Sequence, residues 1–226
     1  MNVEAGRKLK ALERVFALYD EVAGEWRTAC RPACSRCCTD RVGVTTLEVD
    51  ATLESLSAAD TARLLQLVPA ATAGRPPVVT TNTLAEICAA GGEPPDADEP
   101  DAGACPLLSD DLCPIYPLRP FNCRCFVSRT TCSTRGYAEV DEATVAANTL
   151  FLQVIEHIDA GGCSGWLPDV LRALADPGQR RAYREGRMAC AGSGLTPNRP
   201  MRALMVPPEH RARLQPVIER LRRMRF

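Results

Sequence analysis

Apolar side chains recur at every third or fourth position in several stretches of the chain, the spacing that aligns them on one face of a helix. Leu9, Leu12, Val15, Phe16, Leu18, Tyr19, Val22 and Trp26 form the first stripe and predict a helix over residues 3–28. Leu53, Leu56, Ala59, Leu64, Leu65 and Leu67 predict a second from Glu48 to Val68, with Ser57 to Asp60 offering a cap or a break. Gly74-Arg75-Pro76-Pro77 closes that segment. Val145, Leu150, Leu152, Val154, Ile155 and Ile158 predict a third helix from Asp141 to Ile158, stopped at Gly161-Gly162. A fourth runs from about Leu167 to Glu185 with an interruption near Asp176-Pro177-Gly178, and the stretch from Pro208 to Phe226 is helical in character.

What lies between these stripes is different. Residues 91–104, GGEPPDADEPDAGA, carry glycine, proline and acid without apolar periodicity and predict a flexible loop. Strand signals are few and short, and no repeat of 20 to 50 residues is evident.

Cysteine usage changes the picture most. Eight of the twelve cysteines fall in two dense clusters, Cys30, Cys34, Cys37 and Cys38, then Cys105, Cys113, Cys123 and Cys132. The start of the chain, MNVEAGRKLK, has no apolar run of signal-peptide length, and no stretch approaches a membrane span. A reducing cytosol is therefore expected, where clustered cysteines serve as metal ligands more often than as disulfides. With only His157 and His210 available, multi-histidine sites are excluded and thiolate is the expected donor. Soft-donor metals follow: zinc, an iron-sulfur cluster or copper(I).

The first cluster places thiols at relative positions 0, 4, 7 and 8, which would share one face of a helix. Pro32 weakens that reading at its beginning, whereas a turn leading into a helix at Cys34 would keep Cys34, Cys37 and Cys38 together. Adjacent residues such as Cys37 and Cys38 point in different directions, so the expectation is two neighbouring metal sites or one spare thiol. Four thiolates on a centre with two positive charges leave about −2, which Arg31, Arg36, Arg119, Arg124 and Arg129 can neutralise. Pro114, Pro117 and Pro120 stiffen the second cluster. Tyr116 and Phe126 read as core aromatics.

The second segment reads CPLLSDDLCPIYPLRPFNCRCFVSRTTC from Cys105 to Cys132. With C-x3-C-x2-C-C before it, then C-P-x-L and C-x-I-Y-x2-R-P-x2-C-R-x-F, the chain closely resembles the YkgJ-type cysteine-cluster family of zinc- or iron-chelating domains. The matching residues are Cys30, Cys34, Cys37 and Cys38; Cys105, Pro106 and Leu108; Cys113, Ile115, Tyr116, Arg119, Pro120, Cys123, Arg124 and Phe126; and Cys132. Three residues separate Cys30 from Cys34 where many members have two, and Cys125 is extra. If residues 123–125 are extended, Cys125 shares a side with Cys123 and replaces or supplements a ligand. The resemblance covers roughly residues 25–135 and implies metal binding; it offers no settled reaction.

A mainly α fold is expected, a small helical bundle on which irregular cysteine-rich loops are stapled by metal. It forms one domain over residues 1–226, with a cysteine core at about 25–135 and a helical extension at about 140–226. Metal ligands are expected at all eight clustered cysteines; Cys88, Cys163 and Cys190 read as small buried apolar residues.

The functional expectation is a cytosolic protein whose thiolates chelate zinc or an iron-sulfur cluster. Similarity of the cluster to that of flagellin lysine N-methylases implies an alternative, iron-sulfur-dependent methyl transfer to protein lysine. No nucleotide-binding glycine motif supports it, and whether the chain is an enzyme stays open. Metal storage or delivery is a third reading. The formal net charge of −1 provides no global field for nucleic acid or an anionic membrane, leaving a protein as the open class of partner. Arg211, Arg213, Arg220, Arg222, Arg223 and Arg225 read as a solvated helix face. Oligomeric state is not legible.

Overall fold

The computed structural model describes residues 3–70, 77–95, 102–191 and 193–224. Helix α1, Val3–Gly24, buries Leu12, Val15, Leu18 and Tyr19 on one stripe. It stops four residues short of the expected end, and Trp26 folds back edge-on against Tyr19, ring centroids 5.7 Å apart. Turns then lead to a short strand β1, Gly43–Thr45, and helix α2, Thr46–Ser55. The break expected near Ser57 is present: Leu56 is extended, and the Ser57 hydroxyl accepts the Asp60 N–H to cap α3, Ala58–Leu67. Gly74-Arg75-Pro76 and residues 96–101 of the acidic loop lie outside the described residues.

Helix α4, Thr81–Ala89, has no counterpart in the periodicity, because only Asn82 and Ala85 are buried in its nine residues. Its anchor is polar: the Asn82 amide donates to the Gln153 and Arg199 carbonyls. A single 3₁₀ turn at Tyr116–Leu118 precedes the short helices α5, Phe121–Cys125, and α6, Cys132–Arg135.

Helix α7, Glu142–Ile158, is the central element, capped by Asp141 and packed by α1, α4, α5 and α10. Strand β2, Cys163–Trp166, runs into α8, Leu167–Ala175, and Asp176 then caps α9, Pro177–Arg184, which is the interruption expected from Asp176-Pro177-Gly178. The short strand β3, Thr196–Pro197, precedes α10, Pro208–Arg223. The fold is mainly α.

Strands of two to four residues are too short to show alternation, yet they form one antiparallel sheet in the order β1-β2-β3. Gly43 faces Trp166 and Ser164 faces Thr196, so the chain just after the first cysteine cluster pairs with the C-terminal region. The core runs through both regions. Tyr19, Phe121 and Phe151 pack as a triad, Tyr19 edge-on to the other two at 4.6 and 5.1 Å. Beneath the sheet, the fully buried Asp159 carboxylate accepts from Thr46 Oγ1, Leu47 N, Tyr183 Oη and Asn198 Nδ2. Burial pushes its pKa up to about 6 despite these bonds.

Three cysteines outside the clusters depart from expectation. Cys163 and Cys190 are buried as read, but they are joined in a disulfide with Cα atoms 5.8 Å apart, because the end of α9 returns the chain to β2. Cys88 is exposed near the end of α4. Among the described residues no helix is long and apolar enough to cross a membrane.

Candidate metal centre

The first cysteine cluster is built of turns. Cys34 N–H closes on the Arg31 carbonyl at 3.2 Å and Cys38 N–H on that of Ser35 at 2.9 Å. Pro32 and a left-handed Ala33, φ 61°, give the first turn the pattern of type II, which bends the chain where a helix would have continued. The helical face suggested by positions 0, 4, 7 and 8 is therefore not how these thiols meet.

The second cluster repeats one local device. In Cys105-Pro106-Leu107-Leu108 the Cys105 carbonyl accepts the Leu108 N–H and the backbone of Leu107 offsets part of the upward shift of the thiol pKa; in Cys113-Pro114-Ile115-Tyr116 the roles fall to Tyr116 and Ile115. Proline at the second position has no N–H of its own. Leu107 and Ile115, at 0 % and 2 % exposed, pin each turn to the core. Between the two, Ser109 and Leu112 exchange backbone bonds around left-handed Asp110 and Asp111, the geometry of a type I′ turn.

Three links bring the clusters together. Thr39 pairs with Ala104, and Cys105 N–H donates to the Cys38 carbonyl at 3.1 Å. Ala29 N–H donates to the Ser128 carbonyl at 2.7 Å while Ser128 N–H donates to Cys30 Sγ at 3.2 Å. The Ser35 hydroxyl donates to the Asp111 carboxylate. The result is a cavity of about 70 Å³ lined by seven of the eight expected thiols: Cys30, Cys34, Cys37, Cys38, Cys105, Cys113 and Cys123. Cys132 is not on its wall but lies within Coulombic range of Cys30.

Exposure divides the thiols: Cys30, Cys34 and Cys37 are exposed, whereas Cys38, Cys105, Cys113, Cys123 and Cys132 are half-buried. Cys30 feels Cys37, Cys34 and Cys132. Cys38 feels Cys105, Cys123 and Cys113, and Cys123 feels Cys105 and Cys113. Adjacent Cys37 and Cys38 act most strongly on each other, which lowers the pKa of Cys38 and raises that of Cys37. Burial is the leading cause pushing Cys30, Cys105, Cys113 and Cys123 upward.

Among the described residues no three Cys, His, Asp or Glu side chains are placed so that they could hold a metal ion as they stand. Protonated thiols have no reason to close up to the roughly 2.3 Å sulfur–metal distance before a cation supplies one. The donor set nevertheless fits a thiophilic metal, since thiols that burial keeps neutral ionise readily only beside a compensating cation. Arg119, its guanidinium 3.6 Å from the centroid of the Tyr116 ring, acts on Cys37, Cys113 and Cys123 and reaches both groups; Arg31 also lines the cavity. Arg124 lies over the Phe16 ring, 3.5 Å from Asp20, and donates to the Pro117 and Arg119 carbonyls of the second cysteine segment.

Two readings of the sequence are corrected here. Residues 121–125 are helical, not extended, so Cys125 turns away from Cys123; it is buried, off the cavity wall, against the carbonyl oxygens of Asn122, with its pKa raised to about 12 by burial. Phe126 is no core aromatic but 51 % exposed on the cavity wall, and Tyr116 is half-buried on the same wall.

One residue went unnoticed in the sequence. The buried Glu48 carboxylate accepts the Phe121 N–H at 2.7 Å and the Thr45 N–H at 2.8 Å, tying α2 to the start of the helix that carries Cys123. Thr45-x-x-Glu48 is a capping box, a legible signal that places the start of α2 earlier than the apolar stripe does.

Residues 29–148, more than half of the chain, match the model of the CxxCxxCC family, described as "putative zinc- or iron-chelating domain". The chain belongs to this family, and metal chelation is the class of function that membership gives it. No curated protein and no solved structure matches the chain.

Proposed function

We propose that this chain is a cytosolic protein whose cysteine thiolates hold zinc or an iron-sulfur cluster in two neighbouring centres. Cys38, Cys105, Cys113 and Cys123 form one centre, and Cys30, Cys34, Cys37 and Cys132 the other. The observation that carries this reading is the convergence of seven of the eight thiols on one cavity from two segments far apart in sequence. A metal bound there supplies the positive charge that lets buried thiols ionise. The chain's own residues do the rest: the backbone of Leu107 and of Ile115 and the Ser128 N–H favour the charged sulfur, and Arg119 adds a fixed cation beside both groups. A reducing compartment keeps these thiols available, and the buried position of Cys163–Cys190 shields that one disulfide from soluble reductant.

The test is the zinc, iron and acid-labile sulfide content of anaerobically purified protein. Iron with matching sulfide is expected if the centres are iron-sulfur, and zinc without sulfide if they are tetrahedral zinc sites. Folded protein containing neither metal, and taking up neither from solution, overturns the proposal.

A further inference from the structure

The two groups of thiols are built unlike each other. In the group of Cys38, Cys105, Cys113 and Cys123 no residue is exposed. Each donor segment is fastened from behind: Cys38 and Cys105 by their shared backbone bond, Cys105 and Cys113 by fully buried Leu107 and Ile115, Cys123 by the Glu48-capped helix that opens on buried Phe121. In the other group Cys30, Cys34 and Cys37 are exposed, and Cys132 is half-buried. Residues 31–34 are exposed throughout, as are 133–138, and the single-turn helix α6 ends at a left-handed Gly136. The Ser128 N–H on Cys30 is the one backbone bond seen to reach a sulfur of this group from a neighbouring segment.

A metal leaves a four-thiolate site stepwise, and each step needs room for an incoming ligand and freedom for the departing sulfur to swing away. Burial and fixed backbone deny both to the first group. The second has solvent beside the sulfurs of Cys30, Cys34 and Cys37, on turns with no buried side chain to hold them. We infer that the two centres divide their work: the Cys38, Cys105, Cys113 and Cys123 centre is a permanent one that holds the loops together, while the Cys30, Cys34, Cys37 and Cys132 centre exchanges its metal with an external thiol-bearing acceptor. In the exchange, an acceptor thiol bonds to the metal and gives its proton to the cysteine thiolate it displaces; no electron changes hands. This inference rests on the assignment of both groups as metal centres.

The experiment uses the full chain loaded with zinc and follows transfer of zinc to a chromophoric chelator under reducing conditions. Two phases of equal amplitude are expected, with rate constants at least about tenfold apart, a barrier difference of about 1.4 kcal/mol. Cys34→Ser is expected to abolish the fast phase and halve the zinc per chain while leaving the thermal midpoint of the zinc-loaded protein unchanged. Cys105→Ser is expected to abolish the slow phase and lower the midpoint. A single phase from a protein carrying two zinc ions overturns the division but leaves the metal-binding reading intact, as does loss of the slow phase in Cys34→Ser. Absence of bound zinc in the unaltered chain overturns the division, and failure to take up iron as well overturns the metal-binding reading.

Discussion

Helix α7 and the cysteine segments hold their shapes by different means. Twelve of the seventeen residues of α7 are buried, eight of them apolar; α1 packs on it chiefly by apolar contact, and α4 is held by hydrogen bonds to Gln153 and Glu156. Between Ala29 and Cys38 no residue is buried, and the turns there rest on a few backbone bonds. Burial of apolar surface contributes roughly 25 cal/mol per Å², so the first region acquires stability from its own side chains and the second scarcely any. Residues 105–125 stand between these two extremes, anchored in the core by Leu107, Ile115 and Phe121.

Metal removal should break the symmetry between the two regions most strongly. Structural zinc contributes on the order of 10 to 16 kcal/mol of apparent binding free energy. After chelation, hydrogen exchange is expected to rise throughout residues 29–40 and 102–135 while residues 142–158 stay protected. Equal loss of protection in both regions would remove the distinction.

The reverse perturbation acts on the scaffold. Phe151, fully buried against Tyr19 and Phe121, is expected to cost about 3 to 5 kcal/mol when changed to alanine, read by denaturant unfolding. Zinc per chain should stay unchanged in the folded fraction.

Asp159 gives the scaffold its own pH dependence. Its folded pKa of about 6 lies above the unfolded value near 3.9, so the native state binds its proton more tightly. That contribution to stability is complete below the unfolded value and is lost as pH rises through about 6. Over this window it amounts to roughly 3 kcal/mol at 1.36 kcal/mol per unit. The difference in unfolding free energy between the unaltered chain and Asp159→Asn, both metal-free, should therefore grow as pH falls from about 6 toward 4. A flat difference would show that Asp159 ionises normally.

Glu48 stands at the boundary between the regions. Glu48→Ala leaves the Phe121 N–H without its buried acceptor, at an expected cost of about 1 to 3 kcal/mol. Because Cys123 is two residues further on, cobalt-thiolate absorption of the cobalt-loaded variant should shift; an unchanged spectrum would confine Glu48 to stability alone. The smallest effect belongs to a helix end: Asp141→Ala removes the cap of α7 and should cost about 1 kcal/mol with no change in metal content.

Long helices were the most legible part of the fold, because their apolar stripes and caps lie within the same few residues. The break at Ser57, the interruption at Asp176 and the start after Asp141 all appear where those side chains can cap a new helix. Helix α4 and the sheet were not legible, since Asn82 and the strands are held by partners over seventy residues away, such as Gln153, or across the β1–β2 pairing. The eight cysteines stood out by density and spacing. Which of them share a cavity did not, because the clusters are joined by bonds between distant segments, Cys105 N–H to the Cys38 carbonyl and Ala29 N–H to the Ser128 carbonyl.

Local chemistry thus determined the amphipathic helices and their caps, and the dense cysteine pattern that marks the family, each within reach of a short stretch of backbone. Only the folded chain decided which thiols line one cavity, that Cys125 turns away because its segment is helical, and that Cys163 meets Cys190, because these depend on segments brought together by the common core.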